Sequence, residues 1–436
     1  MFSKILIANR GEIAVRIIRA CKEMGIATVA VFSEADRDTL PVSLADESCC
    51  IGAAAAEDSY LNEERILSAA LATGAQAIHP GYGFLSENAR FARACRQNGL
   101  VFIGPDPAQM ERIGDKTEMK RMIADTALRP IPGTGVLRDL EEALAEAERI
   151  GYPLMLKARS GGGGRGIRLI AAAEELRQAY PLAVSEASAA FGDGALYLEK
   201  YVWPARHIEM QILADETGSV VCLGERDCSV QRRHQKLVEE SPSPGVSPVR
   251  RAGLIGAVSQ AVRRIGYVGV GTMEFLLDTE GNFWFMEMNV RLQVEHPVTE
   301  MLVKLDLVKW QIRTAAGVPL RFAQEDILMK GNAIECRINA RAPGRLGLLH
   351  VPGGPFVRFD TYLVPGVEIS PWYDSLIGKL IVYAGTREEA VRKMKAALCE
   401  LVVEGIPTNI EEQLHIVSDP RFMRGEYDLS FLEGMQ

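Results

Sequence analysis

Cysteine is scarce in this chain, with eight residues among 436. Cys49 and Cys50 are adjacent, and no C-x-x-C motif occurs anywhere. So few cysteines exclude a disulfide scaffold, and the composition favours reduced thiols in a cytoplasmic protein.

An excess of basic charge and a long apolar run are also missing. The formal net charge is −8, which argues against a nucleic-acid partner and leaves room only for a local basic patch. No uninterrupted apolar segment approaches the roughly 20 residues that a membrane span needs. Met1-Phe2-Ser3 leads directly into Lys4-Ile5-Leu6-Ile7, so we expect neither a signal peptide nor a membrane anchor.

The length predicts two or three domains, and 47% hydrophobic residues exclude wholesale disorder. Near the N-terminus, short apolar strands alternate with amphipathic helices, and Gly25 suits the position just after the first helix. This alternation predicts a Rossmann-like parallel sheet covered on both faces. Only Gly11 stands where a dinucleotide fingerprint needs three glycines, so we expect a scaffold domain without its own dinucleotide.

The pattern changes near Gly114, where a new helix begins. Residues 196–289 read mainly as antiparallel strands, and further strands with one helix follow from residue 333. Between residues 114 and 196, the sequence predicts a helix at 140–150 and strands at 153–158 and 167–170. In the C-terminal part, it predicts a helix at 387–400.

A glycine run, 161–164 with Gly166, lies between two short apolar strands and follows Lys157. Consecutive glycines let backbone N–H groups turn toward an anion, which favours a phosphate cover over a flexible linker. No Gly-Lys-Ser/Thr follows, so the run is not a Walker loop.

A predicted hairpin carries two glutamates. If Asp278 faces Phe283 across the turn 279–282, Glu274 stands directly opposite Glu287, and apolar neighbours cover both faces. Opposed carboxylates in a covered sheet repel each other, and a bridging Mg²⁺ or Mn²⁺ removes that cost. Asn289 is a further candidate ligand. The alternatives are that one glutamate meets an arginine, or that the register slips by one residue.

The segment from Arg291 to Pro297 follows this hairpin and carries Gln293 and Glu295. An arginine can hold a small planar anion with two hydrogen bonds, and a nearby carboxylate can accept its proton. Alone, such a run is usually a solvated loop. His207 lies in a pattern typical of a half-exposed strand, and His234 lies in a basic segment that can hold phosphates.

Four long motifs resemble the biotin carboxylase family, a branch of the ATP-grasp superfamily. The resemblance covers nearly the whole chain. The motifs are IANRGEIA (7–14), HPGYGFLSEN (79–88), ERDCS with RRHQK (225–236), and EMN with R-x-QVEHPVTE (287–300).

The resemblance implies a fold and a set of site residues. The fold would be an N-terminal Rossmann-like domain (1–113), an ATP-grasp domain (114–330) with a mobile lid (132–203), and a C-terminal mixed α/β domain (331–436). The ATP-binding residues would be Lys116, Lys157, Gly162, Gly163, Gly164, Gly166, Glu199, Lys200, Val202, His207, Gln231, His234, Leu276 and Glu287. The bicarbonate-binding residues would be Lys236, Arg291, Gln293 and Val294. The metal ligands would be Glu274, Glu287 and Asn289, and the residues near biotin would be Tyr82 and Arg337.

The implied reaction has two halves. Glu295 would act as general base on bicarbonate, which attacks the γ-phosphorus of Mg-ATP and gives carboxyphosphate. Lys236, Arg291 and Arg337 would assist as catalytic cations, with Arg337 stabilising the biotin enolate that attacks CO₂. Biotin would arrive on a carrier protein, and the chain would work as a homodimer with a carboxyltransferase subunit. The resemblance implies a subunit of acetyl-CoA carboxylase, in fatty acid biosynthesis, or of a related carboxylase.

One segment departs from the family pattern. After Asn339, residues 340–354 are shorter than usual and lack a Pro-Ser-Pro-Gly stretch. Two alternatives therefore stay open. The first alternative is another ATP-grasp ligase, which joins a carboxylate to an amine. The second alternative is an ATP-binding regulatory relative with impaired biotin turnover.

Overall fold

The computed structural model describes residues 1–159 and 166–435, apart from the side chains of Lys116, Thr117 and Phe191. The predicted lid residues Gly162, Gly163 and Gly164 and the side chain of Lys116 therefore lie outside the described part of the chain.

The N-terminal residues form the predicted parallel sheet with helices packed on it. Its five strands run in the order β3-β2-β1-β4-β5 within the described residues. The elements are β1 (Lys4–Ile7), α1 (Gly11–Glu23), β2 (Ala27–Ser33), α2 (Leu40–Leu44), β3 (Glu47–Gly52), α3 (Glu63–Ala72), β4 (Ala77–His79), α4 (Ala89–Gln97), β5 (Val101–Phe102) and α5 (Pro107–Gly114). Gly25 follows α1 with φ of 71°, a left-handed conformation that favours glycine at this position.

His79 ends β4 and is fully buried. Its Nδ1 accepts a hydrogen bond from the Gly81 backbone N–H at 3.1 Å, which requires an unprotonated Nδ1. Burial lowers the pKa of His79 from 6.5 to about 3. The unfolded chain therefore binds one more proton than the folded chain below pH 6.5, and the folded state loses stability as the pH falls from 6.5 toward 3.

We expect a His79→Gln variant to be less sensitive to acid than the wild type. Between pH 7 and pH 5.5 the free energy of unfolding should fall by roughly 1 kcal/mol less in the variant, because one titrating group is gone. Urea unfolding of both proteins at the two pH values measures this difference. An equal loss of stability in both proteins would contradict the assignment of a neutral buried His79.

A second unit carries the glycine run. Two elements precede it, α6 (Lys116–Ile123) and β6 (Arg129–Pro130), and its own elements are α7 (Leu140–Ile150), β7 (Leu154–Ala158), β8 (Ile167–Ile170), α8 (Ala173–Phe191) and β9 (Leu196–Lys200). Strands β8-β7-β9 form a small antiparallel sheet, and α7 and α8 share a hydrophobic core with it. The backbone N–H of Ala158 binds the carbonyl of Gly166 at 2.8 Å, so β7 and β8 meet as the two sides of the glycine run.

A large sheet follows and extends through the rest of the chain. Its order is β18-β20-β15-β12-β11-β10-β13-β14-β6, nine strands among the described residues. The elements up to residue 315 are β10 (Ala205–Ala214), β11 (Val220–Arg232), β12 (Gln235–Ser241), α9 (Pro248–Ile265), β13 (Gly269–Asp278), β14 (Phe283–Asn289), α10 (His296–Val303) and α11 (Leu307–Ala315). The pairing of β12 with β15 joins the two parts of the chain on either side of residue 331.

The C-terminal part supplies the remaining strands and a helical layer. Its elements are β15 (Asn332–Asn339), β16 (Gly344–Arg345), β17 (Leu349–His350), β18 (Val357–Thr361), β19 (Glu368–Ile369), β20 (Leu376–Ala384), α12 (Arg387–Glu400), β21 (Val402–Val403), α13 (Ile410–Ser418) and α14 (Pro420–Arg424). The predicted helix 387–400 is confirmed. In the described chain, no helix combines the length and apolar character needed to cross a bilayer. All eight cysteines are free thiols.

Helix α9 was not predicted, because residues 196–289 were interpreted mainly as strands. The sequence does carry its signals. Ser247 caps the first turn by accepting from the N–H of Arg250, Pro248 occupies the first turn, and Gly266 ends the helix. Leu254, Val258 and further residues at helical spacing are buried against the large sheet.

Candidate functional site

The hairpin of β13 and β14 brings the two predicted glutamates together. Glu274 pairs with Glu287, which confirms that part of the register. The predicted pairing of Asp278 with Phe283 is wrong, because a β-bulge follows Glu274 and the later pairs shift by one residue. Glu274 is buried, whereas Glu287 is exposed. The expectation that both faces are covered therefore fails at Glu287.

Glu274 is held by three side chains. It accepts from Asn289 Nδ2 at 2.7 Å and from Gln293 Nε2 at 3.0 Å, and its other oxygen lies 2.9 Å from His207 Nε2. Burial would raise the pKa of Glu274, but the charges of Lys236 and His207 outweigh it and lower that pKa to about 2. Glu274 is thus a carboxylate throughout the working pH range.

Glu295 lies between two cations. Its Oε1 is 2.7 Å from Lys236 Nζ, and its Oε2 is 3.1 Å from Arg337 Nη2. Its side chain is almost completely buried. Burial opposes ionisation, but Lys236 and Arg337 together hold the pKa of Glu295 well below its usual value. Two cations and a carboxylate at this spacing form a place where a small anion can bind beside a proton acceptor.

Three acidic residues that were not among the predicted site residues complete this charge network. Glu209 binds Lys236, and it also binds the buried Arg226 at 3.0 Å. Glu239 accepts from Arg337 Nε at 2.6 Å, and it faces Glu335 across the β12–β15 pair. Burial raises the pKa of both Glu239 and Glu335. The segment around His207 and Glu209 was predicted as a half-exposed strand. That prediction is wrong, because β10 lies in the middle of the large sheet and is buried on both faces.

Arg337 is fixed at its backbone as well as at its guanidinium. Its carbonyl accepts from Asn409 Nδ2 at 3.0 Å and from Gln413 Nε2 at 2.8 Å. Both groups come from the start of α13, outside the shortened segment 340–354. That segment closes through two small strand pairs, β16 with β19 and β17 with β21. No described contact of the Arg337 side chain depends on the residues of this segment.

Arg291 lies along the edge of the same site. It donates to Gln293 Oε1 at 3.1 Å and to Asn289 Oδ1 at 3.4 Å, and it pairs with Glu87 at 3.0 Å. Gln293 in turn donates to Glu274. The alternative of a solvated loop is therefore not met, because this segment is ordered and connects the glutamate hairpin to Glu295.

The predicted nucleotide residues divide into groups. Glu199 on β9 pairs with Lys157 on β7 and with Lys120, which lies 3.1 Å away. These two lysines outweigh burial and lower the pKa of Glu199. Lys200 instead donates to the carbonyls of Gly151 and Tyr152, so it binds the loop between α7 and β7.

The remaining candidates for nucleotide binding are spread over three places. His207 contacts Gln231 at 3.2 Å and pairs with Leu276 across β10 and β13. Val202 is half-buried in the segment after β9. His234 is exposed at the β11–β12 turn with φ of 64°, away from the Glu274 cluster in the contacts described.

Tyr82 is half-buried, and its hydroxyl donates to Glu12 at the start of α1. Glu12 is fully enclosed and also lies 3.1 Å from Lys379 Nζ. This places the predicted biotin-side phenol in a buried network with a lysine of β20.

The acidic hairpin fits a hard divalent cation in its chemistry. Glu274 is ionised, Glu287 stands across from it, and the Asn289 side chain reaches Glu274. Carboxylate and amide oxygens are the ligands that Mg²⁺ and Mn²⁺ prefer. His207, Glu209 and Glu274 also bring ligand atoms within 4.8 Å of one another, but Glu209 is occupied by Lys236 and Arg226.

Three family models match consecutive parts of the chain. They are "Biotin carboxylase, N-terminal domain" over residues 1–110, "Carbamoyl-phosphate synthase L chain, ATP binding domain" over 115–323, and "Biotin carboxylase C-terminal domain" over 335–434.

Curated relatives match over 93% or more of their own length. The chain is 50% identical over 443 residues to the biotin carboxylase of Nostoc sp., covering 100% of this chain and 99% of that protein. It is 49% identical over 442 residues to the biotin carboxylase of Haemophilus influenzae, covering 99% and 98%. It is 50% identical over 442 residues to the 2-oxoglutarate carboxylase small subunit of Hydrogenobacter thermophilus, covering 99% and 93%.

Solved structures have the same fold. The biotin carboxylase domain dimer of the Hydrogenobacter thermophilus 2-oxoglutarate carboxylase, in complex with MgADP, ADP and bicarbonate, matches with a TM-score of 0.96 and 49% identity, covering 99% of this chain and 97% of that one. A biotin carboxylase complex from Campylobacter jejuni matches with a TM-score of 0.97 and 45% identity, covering 99% of each chain.

Proposed function

The chain belongs to the biotin carboxylase family, and we propose that it carboxylates carrier-linked biotin with bicarbonate at the expense of ATP. The observation that carries this function is the Glu295 carboxylate held between Lys236 and Arg337. This arrangement brings a proton acceptor and two cations together in one buried site. Full-length identity near 50% to biotin carboxylases supports this function over an amine ligase.

In the first half-reaction, Glu295 accepts the proton of bicarbonate. With both cations on its oxygens, Glu295 is a weak base. A bound bicarbonate competes for Lys236 and Arg337, and its own negative charge raises the pKa of Glu295 again. Base strength therefore develops when the substrate is present. Arg291 and Gln293 orient the planar anion from the side of the hairpin, and the backbone of Val294 contacts the bound anion.

ATP binds between the lid and the large sheet. Lys157 and Lys116 contact its phosphates, the glycine run covers them, and Glu199 with Val202 and Leu276 lines the nucleotide side. Glu274, Glu287 and Asn289 hold Mg²⁺ or Mn²⁺, which supplies positive charge to the phosphate oxygens. Closure of the lid excludes water from a labile intermediate.

In the second half-reaction, carboxyphosphate breaks down to CO₂ and phosphate, the phosphate accepts the ureido N–H proton of biotin, and Arg337 stabilises the negative charge that this leaves on the ureido oxygen. Its guanidinium is fixed by Glu239 on one side and shared with Glu295 on the other. A fixed donor loses little energy to reorganisation as charge develops. Tyr82 forms part of the wall for the biotin ring. Because segment 340–354 supplies none of these contacts, we do not favour the regulatory alternative with impaired turnover.

The proposed partners follow from this chemistry. A biotin carboxyl carrier protein brings the substrate, and a carboxyltransferase subunit consumes the product. We propose a homodimer acting in the cytoplasm as part of acetyl-CoA carboxylase or a related carboxylase, and its free thiols are typical of a reducing compartment. We also propose the domain limits 1–113, 114–330 and 331–436, with the lid at 132–203, which has its own hydrophobic core.

An Arg337→Ala variant separates the two half-reactions. We expect biotin-dependent ADP release to fall about 100-fold, because a fixed donor to the enolate is lost. ADP release that depends on bicarbonate without biotin should fall by about 10-fold or less. The exposed Arg341, near the end of the same strand, gives a matched control as Arg341→Ala with both rates near wild type. An equal loss of both activities in Arg337→Ala would place Arg337 outside the biotin step.

A further inference from the structure

A fully buried lysine lies beneath the segment that carries Glu295. Lys379 on β20 has no exposed side-chain surface. Its Nζ donates to the carbonyl oxygen of Val294 at 2.8 Å and lies 3.1 Å from Glu12 Oε1. The lysine therefore binds the peptide that immediately precedes Glu295.

Glu12 is the counter-charge for this lysine. Asp360 faces Lys379 across β18 and β20, but Asp360 is occupied by Arg358 at 2.6 and 2.8 Å. Glu12 receives the Tyr82 hydroxyl on the oxygen that faces Lys379, and its other oxygen has no hydrogen-bond partner among the described residues. The network thus joins α1, the Tyr82 segment, β20 and the segment between β14 and α10.

Fold stability alone does not explain this arrangement. Two charges taken out of water carry a large desolvation penalty, and apolar residues of the same size often fill such a position at no loss of stability. The unpartnered oxygen of Glu12 adds to that penalty. A charged donor that binds a main-chain carbonyl does, in contrast, fix the backbone at that residue. Here the residue is Val294, which directly precedes the proposed base Glu295.

We propose that Lys379, held by Glu12, is a positioning residue for the bicarbonate half-reaction. Through the Val294 carbonyl it fixes the backbone of Glu295 between Lys236 and Arg337. Through Glu12 it connects the same backbone to the Tyr82 phenol on the biotin side. The inference rests on the proposed function, because it concerns how the bicarbonate site is aligned.

The test uses the full-length variants Lys379→Met and Glu12→Gln/Lys379→Met. A displacement of reacting groups by about 1 Å can cost about 100-fold in rate. We expect Lys379→Met to raise the KM for bicarbonate about 10-fold and to lower kcat about 10-fold, with the KM for ATP within twofold of wild type. The double variant removes both buried charges, so we expect it to unfold at a higher urea concentration than Lys379→Met while its activity stays low.

Lys393 offers a matched control, because it also binds a main-chain carbonyl, that of Tyr383 at 2.8 Å, but lies on α12 in the C-terminal part. We expect Lys393→Met to keep both KM values. Recovery of activity along with stability in the double variant would overturn the inference, as would equal rises in the two KM values in Lys379→Met. A wild-type protein without bicarbonate-dependent ADP release would instead refute the proposed function.

Discussion

A Glu295→Gln variant should lose bicarbonate-dependent ADP release by about 100- to 10,000-fold, the usual range for removing a general base. Glutamine keeps the size of the side chain, and its single amide oxygen can accept from either Lys236 or Arg337 but not from both, since the two cations bind different oxygens of Glu295. It cannot take a proton from bicarbonate. Lys236 keeps Glu209 and Arg337 keeps Glu239 as partners, so the buried cations stay paired and the fold persists. The measurement is the steady-state rate of ADP release at saturating Mg-ATP and bicarbonate.

Glu225 provides a matched control for this variant. It is also a fully buried carboxylate, on β11, and it pairs with Arg251 at 2.6 Å outside the site network. Glu225→Gln should lose stability without the same loss of rate in the protein that stays folded. If Glu295→Gln retained more than a tenth of the wild-type rate, Glu295 would not be the base.

The second large effect is expected for Glu287→Gln. The variant removes one of the two charges that face each other in the hairpin, so we expect ADP release at millimolar Mg²⁺ to fall about 1,000-fold. Most of that loss comes from weaker charge stabilisation of the transferring phosphoryl group. Because Glu287 is exposed, the free energy of unfolding should change little. Titration of the rate with Mg²⁺ measures the effect.

Glu280 lies at the turn of the same hairpin and is also exposed. Glu280→Gln removes the same charge at the other end of the hairpin and should leave the Mg²⁺ titration unchanged. Identical Mg²⁺ titrations for wild type and Glu287→Gln would remove the argument for a metal between the hairpin strands.

Local patterns predicted the parts of the site that lie close together in the chain. The pairing of Glu274 with Glu287 follows from strand periodicity and a short turn, although the bulge after Glu274 shifted the pairs nearest the turn. The bulge leaves Met286 of β14 without a partner on β13, while the pairing of β13 with β10 continues without a shift. Nothing in the alternation of residues along the hairpin marks this extra residue. The correct cross-strand pair was therefore reached with an incorrect turn.

Contacts between distant segments could not be predicted in the same way. Glu239 meets Arg337 only because β12 pairs with β15, some hundred residues later. Lys379 reaches Val294 because β20 extends the same sheet. The family resemblance drew attention to Arg337 and Tyr82, but Glu239 and Glu12 are recognised as their acidic partners only when the elements are assembled.

The most direct test of the account is ADP release from Mg-ATP with bicarbonate, measured with and without free biotin and with a biotinylated carrier protein. We expect release that requires bicarbonate and rises when biotin or the carrier is added. Release that ignores bicarbonate, or that stays unstimulated even with the biotinylated carrier, would contradict it.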